Sequence, residues 1–307
     1  MSNKLKRIIS SVLTVVMLFG LVCNTAVFPA YAADACGYDP AKTMSDLDLT
    51  GEEAQAGSSY SISTADELSS FAKYVNSGKL TEGVTFYLTS DIKLTNVTWT
   101  PIGSKAATAF KGVFDGCGYA VLKLTVDSQE NDQALFGYVS GSDAEIKNLG
   151  VEGTLNGQTN AAGIVANLDG AKIANSWNAV DVTGSYNVGG IAANVNGGTI
   201  TNCTNYAYIS GTASVGAIAG SLSGKSTVEY SYYVYYSADK GVGSQSGSST
   251  QSVYRFSTSS TEVLAEKELT VGGKTSDNML TLLNEWLDMQ EKGHNHSAVV
   301  LFNIGLY

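Results

Sequence analysis

The chain is poor in charge, histidine, arginine and proline. Of its 307 residues, 15% are Asp, Glu, Lys or Arg, against about 25% in an average soluble domain. Its 2 histidines thin the supply of general bases and imidazole ligands. After Arg7 the one arginine is Arg255, and the formal net charge is -10. Nucleic-acid binding needs a basic face, so that function class is excluded. With 3 prolines and 33 glycines, the chain fits neither a Pro-rich linker nor a collagen-like period. It needs many turns but few rigid ones. Apolar residues make up 44%, enough for a core, which excludes wholesale disorder.

The first 33 residues read as a secretory signal peptide. Lys4, Lys6 and Arg7 form a positive start, Ile8 to Val22 is mostly apolar, and Ala30-Tyr31-Ala32 offers a small-x-small cleavage signal. An uncleaved membrane anchor is the alternative, but the apolar run is short for a span. Cleavage leaves 15 bases against 28 acids, an acidic chain with a net charge of -13 and no expected membrane span. It also leaves Cys36, Cys117 and Cys203. An odd count means at least one is unpaired within the chain, and all are read as buried or incidental thiols. No Cys/His spacing points to zinc, so no metal or cofactor is expected.

The strongest signal is internal repetition. The run Ala161-Ala162-Gly163-Ile164-Val165-Ala166-Asn167-Leu168-Asp169-Gly170 returns 27 residues later from Val188 to Gly197, and again from Val215 to Gly224. Ile146, Ile173 and Ile200 hold one register, as do Asn148, Asn175 and Asn202. Within a copy, apolar residues alternate, as in Ile164, Ala166 and Leu168 or Val180 and Val182. A period of two means strand. Each copy thus supplies about three short strands, too few to bury a core alone, and stacking copies in parallel solves that problem. The expected fold is all-β, a parallel β-helix of about 27 residues per coil. A sandwich of hairpins would show two-residue turns without a fixed register. The Asn148, Asn175 and Asn202 row reads as a turn ladder inside the stack.

Open ends of such a stack need covers. Thr64 to Asn76 reads as an N-terminal capping helix, with Thr64 and Glu67 as a capping box and Leu68, Phe71, Ala72 and Val75 on one face. Val84 to Leu94 then reads as extended. At the far end, Gly241 to Ser252 reads as flexible linker, Asp277 to Leu287 as a second helix, and the tail from His294 carries no pattern. The expected organisation is a signal peptide over 1–33, a linker over 34–57, a cap over 58–100, a β-helix over 101–245, and a linker with C-terminal helix and tail over 246–307.

At Trp99-Thr100-Pro101-Ile102-Gly103, Phe110 to Tyr119, Leu135-Phe136-Gly137, Ile146 to Leu149 and the Val-Gly-Gly-Ile-Ala copies, the chain resembles the GLUG-repeat proteins. The Ile62 to Leu68 lead-in is also similar to theirs, and the likeness covers roughly residues 60 to 245. The resemblance implies an extracellular right-handed β-helix of the kind exported by Gram-positive bacteria. Such repeats occur in adhesin-like surface proteins and beside the protease region of IgA-cleaving metalloendopeptidases. This chain has no HExxH, so the protease chemistry does not carry over.

β-Helices also host polysaccharide lyases and glycosidases, so acids in the coils matter. Asp115, Asp127, Asp132, Asp143, Asp169 and Asp181 are scattered, and Asp115 and Asp169 sit at turn positions. No arginine lies in the coils to act as a lyase base. His294 and His296 lack further ligands nearby in sequence. No catalytic residue is assigned. Tyr230, Tyr232 and Tyr236 either cover the last coil or, as the candidate binding residues, offer flat faces with hydroxyls to a glycan or an extracellular protein. The expectation is a secreted or surface-associated binding module. The alternatives are a carbohydrate-acting enzyme and the N-terminal part of a larger surface protein such as an IgA-cleaving endopeptidase.

Overall fold

A computed structural model of the chain describes residues 36–38, 42–47, 53–234 and 236–256, with the backbone of 269–271 and 274–276. The strands stack in parallel as a solenoid. One column carries Ser59–Ile62, Thr85–Leu88, Val113–Asp115, Glu145–Lys147, Lys172–Ala174, Thr199–Thr201, Thr227–Val234 and Thr250–Phe256. These eight strands bracket seven turns, with register steps of 26, 28, 32, 27, 27, 28 and 23 residues. In the regular coils the step is the 27 residues of the sequence repeat.

A regular coil has four strands rather than about three: Gly150–Asn156, Thr159–Ala162, Val165–Asp169 and Lys172–Ala174. The extra one is the second, Thr159–Ala162. It hides in the sequence because Asn160 takes a φ of 59° there, which breaks the alternation that marks a strand. Inward rows form the core. Ile146, Ile173, Ile200 and Val228 lie over one another, as do Leu155, Val182 and Ile209, and likewise Val139, Leu168, Val195 and Leu222. All are buried. Successive rungs are about 4.8 Å apart, so each apolar side chain is covered from both sides.

Among the inward rows, one carries asparagine. Asn178 and Asn205 are fully buried, where the preceding coil has Val151. Asn178 donates to the Asn205 side-chain oxygen at 2.7 Å and to the Val180 carbonyl at 3.1 Å, while the Val180 N–H returns a bond to Asn178 at 3.1 Å. Asn205 passes its amide on to Ser237. These bonds make burial tolerable. The extra volume is accommodated across the coil by glycine, since a Cβ at Gly163 would overlap Asn178 Oδ1.

The front of the stack is aromatic and capped. The helix Ala65–Asn76 drives Phe71 against Phe86, Phe110 and Phe114, with ring centroids 4.5 to 5.7 Å apart. Thr64 accepts the Glu67 N–H at 3.2 Å, and the Glu67 carboxylate accepts the Ser63 N–H and hydroxyl at 2.7 Å each. Residues before the first strand, read from sequence as linker, are partly structural. Met44 is buried in the core and Thr43 bridges Ser61, covering the outer edge of the first strand.

Cys36 and Cys117, read as unpaired thiols, form a disulfide across 81 residues. No local spacing announces such a pair, because the stack rather than the sequence brings the ends together. Cys203 stays a buried thiol, pushed up to about 12 by burial. At the far end the supposed linker continues the solenoid through Val242–Gln245 and Thr250–Phe256. Its glycines and serines are there because Gly243 and Ser244 lie on the same close-packed rungs as Gly220 and Ser221. The signal peptide, the helix expected over Asp277 to Leu287, and His294 and His296 lie outside the described residues.

Two outcomes follow. Gly163→Ala should cost about 1–3 kcal/mol in urea denaturation, and combining it with Asn178→Val should cost less than the sum of the single changes. For Glu67, burial alone would raise the carboxyl, but bonds from Ser63, Ser45 and Thr64 outweigh it and hold it below its ordinary value. A depressed folded pKa means stability that is present above the unfolded value, about 4.3, and lost as pH falls through the folded one. The deficit of Glu67→Gln in urea midpoint should therefore be largest near neutral pH and shrink below about pH 4.

Candidate functional site: an aromatic face late in the solenoid

The coil acids are mostly committed to structure. Asp115 is buried and accepts from Cys117 N–H at 2.8 Å, Asn148 at 2.9 Å and the Tyr38 hydroxyl at 2.9 Å, with Lys147 Nζ at 3.6 Å. Burial first, then the Asp115 charge, raises the Tyr38 phenol well above its ordinary value. Asp132 accepts from Asn160 and Asn167 at 2.7 Å each and from Tyr138 at 2.9 Å. Burial and this bond push the Tyr138 phenol up to about 12. Asp169, Asp127 and Asp181 accept from Asn196, Asn156 and the Tyr208 N–H. Asp143 is exposed. Cys36, Asp115 and Cys117 place donor atoms within 4.8 Å of one another, but the disulfide ties up both sulfurs and leaves no thiolate to ligate a metal.

The three predicted tyrosines lie on one strand and the turn after it, with different roles. In Thr227–Val234 the chain rounds a corner at Tyr230 and then alternates, with Ser231 and Tyr233 facing the core and Tyr232 outward. Tyr232 is nonetheless only 6% exposed, stacked on Tyr254 of the next coil at 5.4 Å and 28°. It is a platform and not a free ring. Burial pushes its phenol up to about 12. Tyr230 and Tyr236 are 47% and 51% exposed. Tyr236 donates at 3.1 Å to the carbonyl of Tyr206, two residues before Tyr208, itself 56% exposed.

Sequence reading missed Tyr206, Tyr208 and Tyr254. Their signal was available: Tyr206 and Tyr208 are two apart on the face that carries Ala179 and Asp181 one repeat earlier. Together these residues make a tyrosine-rich face on the last described coils. From Tyr230 to Tyr236 it extends at most about 20 Å. Among the described residues no helix is long and apolar enough to cross a membrane.

Tyr230 has an unusual backbone. It continues the turn row of Asn148, Asn175 and Asn202, whose φ values are 51°, 50° and 52°, and itself has φ 48°. Asn tolerates this left-handed corner, whereas a bulky residue pays about 1–2 kcal/mol there. Asn175 donates to Asn148 at 3.2 Å and Asn202 to Asn175 at 2.8 Å. Tyr230 cannot add the next amide rung.

Tyr230→Asn should therefore raise stability by about 1 kcal/mol in thermal unfolding. Tyr232→Ala, which removes a packed ring, should lower it by about 3 kcal/mol.

No family model matches the chain, and no curated protein matches it. Among solved structures it is similar to a protein from Bacteroides ovatus provisionally named an immunoglobulin A1 protease, with 15% sequence identity and a TM-score of 0.46 over 76% of this chain and 83% of that one. Likeness at that level speaks to neither activity nor partner.

Proposed function

We propose that this protein is a secreted or cell-surface, adhesin-like binding module of the GLUG-repeat type, which engages an extended glycan through its tyrosine face and catalyses no reaction on it. The observation that carries the reading is Tyr230. A ring is kept half-exposed at a left-handed corner where three preceding coils use Asn. Strain retained at a surface position is more readily explained by binding than by stability. Tyr208 and Tyr236 extend the same kind of surface, and rings that carry hydroxyls offer both stacking and hydrogen bonding to sugars. The Cys36–Cys117 disulfide supports export, since disulfides persist in oxidising compartments.

The test is a glycan array followed by titration of the ligands it reveals. Binding should fall about tenfold in Tyr230→Asn and in Tyr208→Ala while the circular dichroism spectrum stays unchanged. Absence of any glycan binding would overturn the reading. So would release of reducing ends or unsaturated uronates on incubation with polysaccharides, with or without calcium, since that would make the protein an enzyme.

A further inference from the structure

The second and third strands of each coil fold against one another, so that their outward sides face across a concave elbow. The vertex is filled by small residues alone. Ala134, Ala162, Ala166 and Ala193 form a buried cluster separate from the main core, and a Cβ at Gly220 would stand 2.6 Å from the Ala193 carbonyl oxygen and from the Asn187 carbonyl carbon. Two polar rows rise from the vertex. One is Asp132, Asn160, Asn187 and Ser214; the other is Tyr138, Asn167, Asn194, Ser221 and Ser244.

At the front the rows close on each other. Asn167 reaches across to Asp132 at 2.7 Å, and Asn160 to Asn167 at 3.3 Å. Towards the last coils the rungs shorten from Asn to Ser in both rows, and again from Asn196 to Ser223 and Ser246. Each such step removes an amide from the groove. There the walls part around an open cavity of about 270 Å³, lined by Tyr186, Asn187, Ser221, Ser223, Ser244 and Gln245 among others.

The chemistry of that lining is specific in kind. No charged side chain contributes to it. Asn187 spends an amide N–H on Asn160 at 2.9 Å, and its carbonyl oxygen is a group that can only accept. Ser221 and Ser223 donate back to Asn194 and Asn196, at 3.2 and 3.3 Å, which leaves their oxygens able to accept. The Tyr186 ring, 50% exposed, forms one wall. An uncharged group of donors and acceptors beside one aromatic ring suits a neutral hydroxylated ring. The volume, just under the roughly 300 Å³ at which ligand pockets begin, suits a single ring rather than a chain.

We propose that this elbow cavity is a binding site for one neutral sugar residue, stacked on Tyr186, whose hydroxyls take the place of the missing amide rungs. The site is separate from the tyrosine face and does not depend on it.

The test uses the full chain and D-glucose, D-galactose, D-mannose and N-acetyl-D-glucosamine, each at about 10 mM, with saturation-transfer NMR and titration calorimetry. At least one sugar should bind. Tyr186→Ala should weaken it about tenfold, and Ser221→Asn, which rebuilds a rung inside the cavity, should abolish it while holding or raising the melting temperature. Tyr230→Asn and Tyr208→Ala should leave it unchanged, which distinguishes this site from the tyrosine face. The proposal is overturned if none of the four sugars binds, if binding survives both Tyr186→Ala and Ser221→Asn, or if uronate or sulfated sugars bind and the neutral ones do not.

Discussion

Vertical register is the constraint on which everything else in this molecule depends. Once equivalent residues lie directly over one another, a polar side chain can be satisfied by its own copy in the next coil, and it must also agree with that copy on direction. In the outward and corner Asn rows the amide of the later coil donates to the oxygen of the earlier one, as in Asn202 to Asn175 to Asn148, Asn187 to Asn160, and Asn194 to Asn167, whereas the buried Asn178 and Asn205 row runs the other way. Four rows run out at the front on an aspartate: Asp115, Asp132, Asp169 and Asp127. A carboxylate only accepts. The first Asn must therefore turn its amide towards it, and every later Asn follows. Aspartate at the head of a row sets the polarity of the whole row.

This arrangement reassigns residues that would otherwise invite a catalytic reading. The coil acids look like scattered candidates for general acid and base, yet Asp115 and Asp132 each hold three hydrogen bonds from neighbouring groups. Their negative charge is used to anchor ladders and to position Tyr38 and Tyr138. What remains available to a partner is the part of the surface where the ladders stop. Tyr230 ends the corner row, and at Ser214, Ser221 and Ser223 the amides of the elbow rows give way to hydroxyls. Both candidate binding surfaces lie where stacking has stopped dictating the side chain.

The sequence shows its repeat because each coil solves the same local problem in the same way. Alternation at Ile164, Ala166 and Leu168, the Asn148, Asn175 and Asn202 row, and the Thr64 and Glu67 cap are all signals within one coil or at an exact multiple of it. The second strand was illegible, since positive φ at Asn160 and Asn187 disrupts alternation. The last coils read as linker because Gly243 and Ser244 look flexible in isolation and become ordered only by lying on Gly220 and Ser221. Whether Tyr232 covers the stack or stands free was undecided in the sequence for the same reason: the ring that covers it, Tyr254, belongs to another coil.

By itself, then, the sequence determined the period, the inward rows and the capped front, because hydrophobic alternation and helix capping act over a few residues. The tertiary structure alone decided the Cys36–Cys117 pairing, the burial of Tyr232 and the elbow that opens the polar cavity. Each depends on an approach between segments that share no local pattern. The angle of the elbow comes from how closely two backbones can meet over alanine and glycine, and that distance is set by packing, not by periodicity.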